Sequence, residues 1–524
     1  MKKQSYIPLI VAVSIVVGMA IGFFVLSKGR NNLNTSYSKS SKINYILELI
    51  DKEYVDKTNK DSLTDDAIRA LLTELDPHSV YMTAEEVKKE NESLKGNFDG
   101  IGVQFRIIDD TIAVVRTVSG GPSEKVGIMA GDRIVKVDGR TLKNITNDTV
   151  LHLLKGKRGT KVKLSIKRKS VNHLIDYTVT RDIIKTQAVR YSGMLNANTG
   201  YIKLEEFTAT SHDEVAKALA DLSKQGMTQL IFDLRDNGGG YLDQAIAIAD
   251  EFITKGDLIV YTDGRFRGRN DAYATSGGLF EQGNLIIMIN EMSASASEIV
   301  SGCVQDNDRG KIIGRRTFGK GLVQEQRNLP DNSAIRLTIA RYYTPSGRCI
   351  QRPYVKGDPD QYFEDFINRF ANAENDADTI KHDEKLKYKT KKGRTVYGGG
   401  GIEPDITLPY SILKRSTYFN SLFKNGLIYK YCFDYVDNNR NMLKQYAIGK
   451  EFLKKYKIDN TIYNNLLVFA AKNGVEVKKL SDKEAQEIKQ LMKGYIAQSL
   501  YGDEYFYQLY ITLDTELQMA IHNL

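Results

Sequence analysis

Two apolar runs in the middle of the chain each end in residues too small to pack, a pattern suited to chemistry. The first ends in DLRDNGGG, Asp233 to Gly240. Three glycines at the C-terminal end of a buried strand let the backbone turn sharply and leave peptide N–H groups unobstructed, so the loop can donate to an anion. The same glycines also suit a plain strand-to-helix turn. The second run, NLIIMIN, continues into EMSASASEIVSG, Glu291 to Gly302. Alternating serine and alanine stand where a strand hands over to a helix, a place from which a nucleophile can project while helix N–H groups face an oxyanion. Ser293 or Ser297 could equally cap the helix that begins near Glu298.

A serine nucleophile needs a base. The six histidines stand at 78, 152, 173, 212, 382 and 522, none beside a glycine-rich turn of this region, so a Ser-His-Asp triad could arise only by an unguided tertiary contact. Lysine is the better candidate. In RTFGKGLVQEQ, Arg316 to Gln326, Lys320 lies between Gly319 and Gly321 after Phe318, so its amine can approach another backbone beside an apolar ring. Burial there would lower its pKa and give the neutral amine that a general base requires. Gln324 could orient that amine by hydrogen bonding. Any single lysine can also be an ordinary surface charge.

In this order, DLRDNGGG, SASASE and FGKG with a glutamine four residues after the lysine, the segments resemble the carboxyl-terminal processing peptidases, also called tail-specific proteases. LDPHSVYM at Leu75, RYYTPSGRCIQ at Arg341 and GGIEPDI at Gly400 are similar to that family too, so the resemblance covers roughly residues 43 to 408. It implies Ser295, the middle serine of SASAS, as the catalytic serine, Lys320 as its base and Gln324 as the supporting glutamine. It also implies an oxyanion hole from the N–H of Ala296 and of Gly239 or Gly240, on a crotonase/Clp-like αβ protease core. Gly238 departs from the proline that many relatives carry, which removes no catalytic group.

The segment before this core resembles a PDZ domain. GIGV, Gly100, Ile101, Gly102 and Val103, matches the carboxylate-binding loop, where successive N–H groups hold a terminal carboxylate and the next strand pairs with an extended peptide. AGDRIVKVDG, Ala130 to Gly139, matches the strand and turn that follow.

These motifs need elements to position them. Ile43, Ile46, Leu47, Ile50 and Tyr54, then Ala67, Ile68, Leu71, Leu72 and Leu75, recur at helical spacing and predict two amphipathic helices before Asp76-Pro77. From about Asn97 alternation at Val103, Phe105 and Ile107 and at Val162, Leu164 and Ile166 predicts strands, with a short helix over Asn147 to Lys155. From about Gly200 strands and helices alternate, which predicts helices packed on a largely parallel sheet. Ser211 and Glu214 read as a capping box there. Lys356 to Gly393 reads as a charged surface excursion. After Pro409 a Tyr-, Lys- and Asn-rich stretch predicts a helical domain without a chemical motif.

The expected organisation is a multidomain α/β protein with one transmembrane helix. It divides into a signal anchor over 1–30, an N-terminal helical segment over 40–94, a PDZ domain over 95–172, the protease core over 173–410 and a helical C-terminal domain over 411–524. The anchor rests on the uncharged run Tyr6 to Ser27 after Lys2 and Lys3. About 20 helical residues span a bilayer of roughly 30 Å. No A-x-A cleavage site follows. Lysines before the span place the bulk of the chain outside the cytoplasm, although Lys28 and Arg30 weaken that charge argument. A single-pass protein of the bacterial inner membrane, facing periplasm or cell exterior, is the expectation.

The 524 residues carry net charge +9 without the basic runs of a nucleic-acid groove. Three scattered cysteines support neither a disulfide framework nor a zinc site, and with no HExxH or GxxxxGK[ST] no metal or nucleotide cofactor is implied. The expected activity is a serine endopeptidase that captures C-terminal tails of protein substrates and cuts through an acyl-enzyme. The two N-terminal helices and the C-terminal domain are candidate surfaces for a homo-oligomer. Two rivals stay open: a non-catalytic PDZ scaffold indifferent to Ser295 and Lys320, and a Ser-His esterase or amidase indifferent to Lys320.

Overall fold

The structure, a computed structural model, describes residues 18–19, 41–108, 110–371, 383–410 and 414–524. It divides into two compact units at Leu75. In the first, α1 (Ser41–Glu53) leaves Ile43, Tyr45, Ile46 and Leu49 exposed. Helix α2 (Lys60–Thr73) begins earlier than its apolar pattern because the Asn59 side chain accepts from the N–H of Asp61 and Ser62.

The expectation of one transmembrane helix, and with it of a single-pass inner-membrane protein, is corrected. Among the described residues no helix is long and apolar enough to cross a membrane. The longest, Asp482–Tyr501, carries Lys483, Glu487, Lys489 and Lys493 along its length. The run from Tyr6 to Ser27 lies outside the described residues except for Gly18 and Met19.

The second unit begins with β1 (Val80–Met82) and α3 (Ala84–Leu94), the latter closed by a capping box between Thr83 and Glu86. Strand β2 (Asn97–Gly100) leads into an antiparallel sheet of β3 (Val103–Ile108), β4 (Thr111–Thr117), β5 (Arg133–Val137), β6 (Lys161–Lys167) and β7 (Ile175–Thr180). Helix α4 (Asn147–Leu154) covers it. Alternation works as expected: Ile112, Val114, Ile134, Val162, Leu164 and Ile166 fill one core. Strand β8 (Asp182–Lys185) returns to pair with β2.

The second sheet holds the chemistry. Strands β9 (Val189–Met194), β10 (Thr199–Leu204), β11 (Gln229–Asp233), β14 (Asn284–Ile289), β15 (Lys311–Gly314) and β18 (Ile406–Thr407) lie side by side in that order, parallel except for β9. Between them run α5 (Ser211–Ser223), α6 (Leu242–Asp250) and α7 (Ala296–Asp306). A smaller sheet is built from the hairpin β12 (Leu258–Gly264) and β13 (Gly268–Tyr273), the hairpin β16 (Leu322–Asn328) and β17 (Ala334–Tyr343), and β1. The Ser211 box does not form. Ser211 is buried with its hydroxyl donating to Thr208 O, while Glu214 accepts the Val189 N–H and the Thr210 hydroxyl.

Residues on the central strands alternate between two cores, as period-two geometry requires. Leu230, Phe232, Leu285, Ile287 and Ile289 face α5–α7, whereas Ile231, Ile286, Met288 and Ile313 face Ile511, Leu517 and Ala520. Those last residues belong to α14 (Asp503–Leu513) and α15 (Thr515–His522), the end of a helical region that also contains α9 (Thr417–Lys424), α10 (Leu427–Leu443), α11 (Gly449–Lys455), α12 (Asn460–Lys472) and α13 (Asp482–Tyr501). Burying both faces explains why these strands are apolar throughout. The same helical region covers the outer face of β3 and β4, where Tyr429 and Phe433 meet Ile108, Ala113 and Val115 and the Arg106 guanidinium lies 3.8 Å from the Tyr429 ring.

The reading of Lys356 to Gly393 as a surface excursion is also revised. It contains α8 (Pro359–Ala371), whose Tyr362 and Phe366 are buried against Phe318, with ring centroids 6.0 and 4.6 Å apart.

Candidate active site

Ser295 sits between β14 and α7 with φ 54° and ψ −110°, a backbone conformation that side chains rarely adopt. Such strain persists only where surrounding bonds impose it, and those bonds are visible. The N–H of Ser295 donates to Glu298 Oε2 at 2.8 Å. The flanking serines are fully buried and already engaged. Ser293 Oγ donates to Leu234 O at 2.7 Å and Ser297 Oγ to Asn237 O at 2.8 Å. The alternation in SASAS thus separates two hydroxyls that tie the strand ends together from one, Ser295, that is partly exposed.

The glycine loop after β11 is tied to the same turn. Asn290 and Asp236 bond reciprocally, and Asn237 O accepts the Ala294 N–H. Gly239, at φ +110°, passes so close that an added Cβ would lie 2.9 Å from Ala294 O and 3.0 Å from Ser295 Cβ. Its own N–H donates to Asn237 Oδ1 at 2.9 Å. Gly240, at φ +142°, packs on Phe207, whose carbonyl would be 2.2 Å from a Cβ there. Ala296 opens α7, so its N–H is at the positive end of that helix. Loop, turn and helix start therefore form one cradle.

Lys320 enters this cradle through Glu298. That carboxyl, fully buried on α7, accepts the N–H of Gly319 at 2.7 Å and of Lys320 at 2.8 Å, the Thr317 hydroxyl, and the N–H of Ser295. Burial pushes its pKa up to about 7 against those four donors. Tyr342, 1% exposed, spans the same two segments from the other side, its hydroxyl within hydrogen-bond reach of both Ser295 O and Lys320 O. The structure thus brings the segments of Ser295 and Lys320 together around one acid and one phenol.

Burial lowers the pKa of Lys320 to about 8, helped by the charge of Arg336 and opposed by Glu90, Glu298 and Asp76. Gln324, on β16, donates from Nε2 to His78 O. His78 lies beside them. Its ring is 6.2 Å from that of Phe318 and its Nε2 is 3.2 Å from Tyr362 Oη. Burial and the Lys320 charge pull the imidazole down to about 4, against Asp76. The sequence argument that no histidine accompanies the glycine-rich turns missed this one, because LDPHSVYM reaches the site through β1 and its pairing with β17. Of the other histidines, His212 bonds Glu251 at 2.8 Å, and His382 lies outside the described residues.

The four residues of GIGV straddle the junction of β2 and β3. Gly102 has φ +71°; the carbonyls of Ile101 and Gly102 accept from Ser123 and Val118, so the loop is held from its carbonyl side. Among the described residues no group of three or more His, Cys, Asp or Glu side chains could hold a metal ion.

Comparison with known proteins identifies the family. The model of Peptidase family S41 matches residues 198–361, a PDZ domain model matches 100–179, the model of the activating protease CtpB N-terminal domain matches 24–86, and a family of unknown function matches 418–502. A carboxy-terminal-processing protease of Bartonella bacilliformis is 38% identical over 61% of this chain and 74% of its own length. The carboxy-terminal processing protease CtpA of Bacillus subtilis is 34% identical over 68% of this chain and 77% of its own. Among solved structures, the photosystem II D1 C-terminal processing protease is 25% identical over 70% of this chain and 86% of its own, with a TM-score of 0.35. The family models and relatives matched over about three quarters of their own length lead to one assignment: the chain belongs to peptidase family S41, as a carboxy-terminal processing serine protease with a PDZ domain.

Proposed function

We propose that Ser295 and Lys320 form the hydrolytic dyad, and that the PDZ module delivers substrate tails to it. A terminal carboxylate docks on the N–H groups of Gly100 to Val103 while the tail adds as a strand along β3. Neutral Lys320 takes the proton of Ser295 as its oxygen attacks the scissile carbonyl, and Ala296 N–H with a donor from the Gly239–Gly240 turn receives the oxyanion. The protonated amine then gives its proton to the leaving amine, leaving an acyl-enzyme. Water, deprotonated by the same lysine, releases the acid. An N-terminal helical segment over 40–94, a PDZ domain over 95–172, a protease core over 173–410 and a helical C-terminal domain over 411–524 serve this scheme, with cutting confined to residues 173–410.

The observation that carries the reading is the depressed pKa of Lys320 beside a strained serine, with both backbones anchored on Glu298. The test is digestion of denatured, labelled casein. Ser295→Ala and Lys320→Ala are each expected to abolish cleavage with unchanged melting profiles, a loss of at least about 10⁴-fold by analogy with other nucleophile–base units. Undiminished cleavage by Lys320→Ala would refute the dyad.

A further inference from the structure

The turn that leads into β1 is bonded, step by step, to the glutamine beside Lys320. Asp76 is 5% exposed, and its Oδ1 accepts the N–H of His78 and of Ser79, each at 2.9 Å. Its Oδ2 accepts the Ser79 hydroxyl at 2.6 Å. With its proton committed there, Ser79 Oγ can only accept from elsewhere, and it does so from Thr338 N–H at 3.1 Å. Thr338 stands opposite Gln324 in the β16–β17 ladder, at a register shift that leaves Ile339 without a partner. Bulges of this kind re-aim a neighbouring side chain. Gln324 lies across the ladder from that shift, and its Nε2 donates to His78 O. A carbonyl accepts and never donates, so this bond fixes which end of the amide is which. Oε1 is left as the acceptor.

We infer that the turn Asp76–Ser79 is a positioning element for the base: it pins the bulge at Thr338 and presents the His78 carbonyl, so that Gln324 offers Oε1 to an N–H of the Lys320 amine. A neutral amine has two N–H donors and one lone pair. Holding one N–H on Oε1 restricts rotation about the last side-chain bond and directs the lone pair toward Ser295. Neither Asp76 nor Ser79 touches substrate; both act through Gln324. The inference rests on the Ser295–Lys320 reading above.

The test is a double-mutant cycle on the full chain, with kcat and KM measured on labelled casein for Ser79→Ala, Gln324→Ala and the pair. Each single change is expected to lower kcat about 10-fold or more while KM stays within about twofold, and the pair to be no slower than the slower single. Ser79→Thr, which keeps the hydroxyl, restores kcat to within about threefold of wild type. Asp76→Asn provides a second route should Ser79→Ala fold poorly: it keeps an acceptor for the two N–H groups, alters the Ser79 proton bond, and is expected to be non-additive with Gln324→Ala. Losses in the two single variants that multiply in the pair overturn the inference, as does a Ser79→Ala protein with lowered melting temperature and wild-type kcat. If Lys320→Ala cleaves normally, the dyad falls and takes the role of Oε1 with it. If Lys320→Ala is inactive and the cycle is additive, the positioning element alone falls.

Discussion

Lys320 shows what burial does to one amine. In the proposed dyad the general base is the unprotonated form, and burial brings the pKa of Lys320 to about 8, so the competent fraction grows as pH rises through 8. A plot of kcat/KM against pH is expected to climb tenfold per unit below that value and level off above it. An inflection between pH 6 and 7 belonging to His78 is not expected, because its imidazole is already neutral above about 4. A Ser-His enzyme would also climb with pH, but with its inflection near pH 6 to 7. Glu298 carries a second prediction. An amide at that position has one accepting oxygen for four donors, and its NH₂ would confront N–H groups, so Glu298→Gln should cost about 1–3 kcal/mol of stability. Chemical denaturation measures that loss, and cleavage should fall with it. The segments that hold Ser295 and Lys320 were legible in the sequence because small residues on both sides mark a backbone under close approach, while the choice of Ser295 among the three serines came from the family resemblance. Glu298 and Tyr342 were not. Their partners lie far along the chain, and an acid in the first turn of a helix reads as an ordinary dipole or capping residue until its neighbours are known.

Among the elements, the glycine loop discriminates sharply between neighbours. Gly239→Ala and Gly240→Ala both demand a side chain at positive φ and against backbone atoms, whereas a Cβ at Gly238 meets nothing within 4 Å. Cleavage assays should find the first two variants impaired by at least about 10-fold and Gly238→Ala within about twofold of wild type. Apolar period and turn residues sufficed to predict β3, β11, β14 and α4 close to their observed bounds. They failed for α8, whose apolar residues Tyr362, Phe363, Phe366 and Ile367 are diluted among charges, so the helical repeat was lost in a polar stretch. They failed as well for the Ser211 box, where the Thr208 carbonyl takes the Ser211 hydroxyl and the distant Val189 N–H takes Glu214.

At the scale of the molecule, the C-terminal helices are joined to two different sheets. Arg235, at the end of β11, binds Asp514 at 2.6 Å and Glu516 at 2.7 Å, and Arg315 binds Glu291 at 2.6 Å and also Glu516. Removing one member strands buried charge, so Arg235→Ala should cost about 3–5 kcal/mol. Tyr429→Ala, on the face toward β4, should cost about 3 kcal/mol by cavity formation. Calorimetry should show both lowering one shared transition. No sequence pattern announced this arrangement. Helical periodicity tells which face of a helix is apolar, and is silent on which of several sheets will cover it. The order of synthesis gives the arrangement a further meaning. Ile511, Leu517 and Ala520 are made about 190 residues after Lys320, a delay on the order of 10–40 s at ~5–20 residues per second. Until they emerge from the ribosome, the sheet that carries both reactive segments has one greasy side open to water. A nascent copy therefore carries that apolar face unprotected until the helices over residues 503–522 have been made.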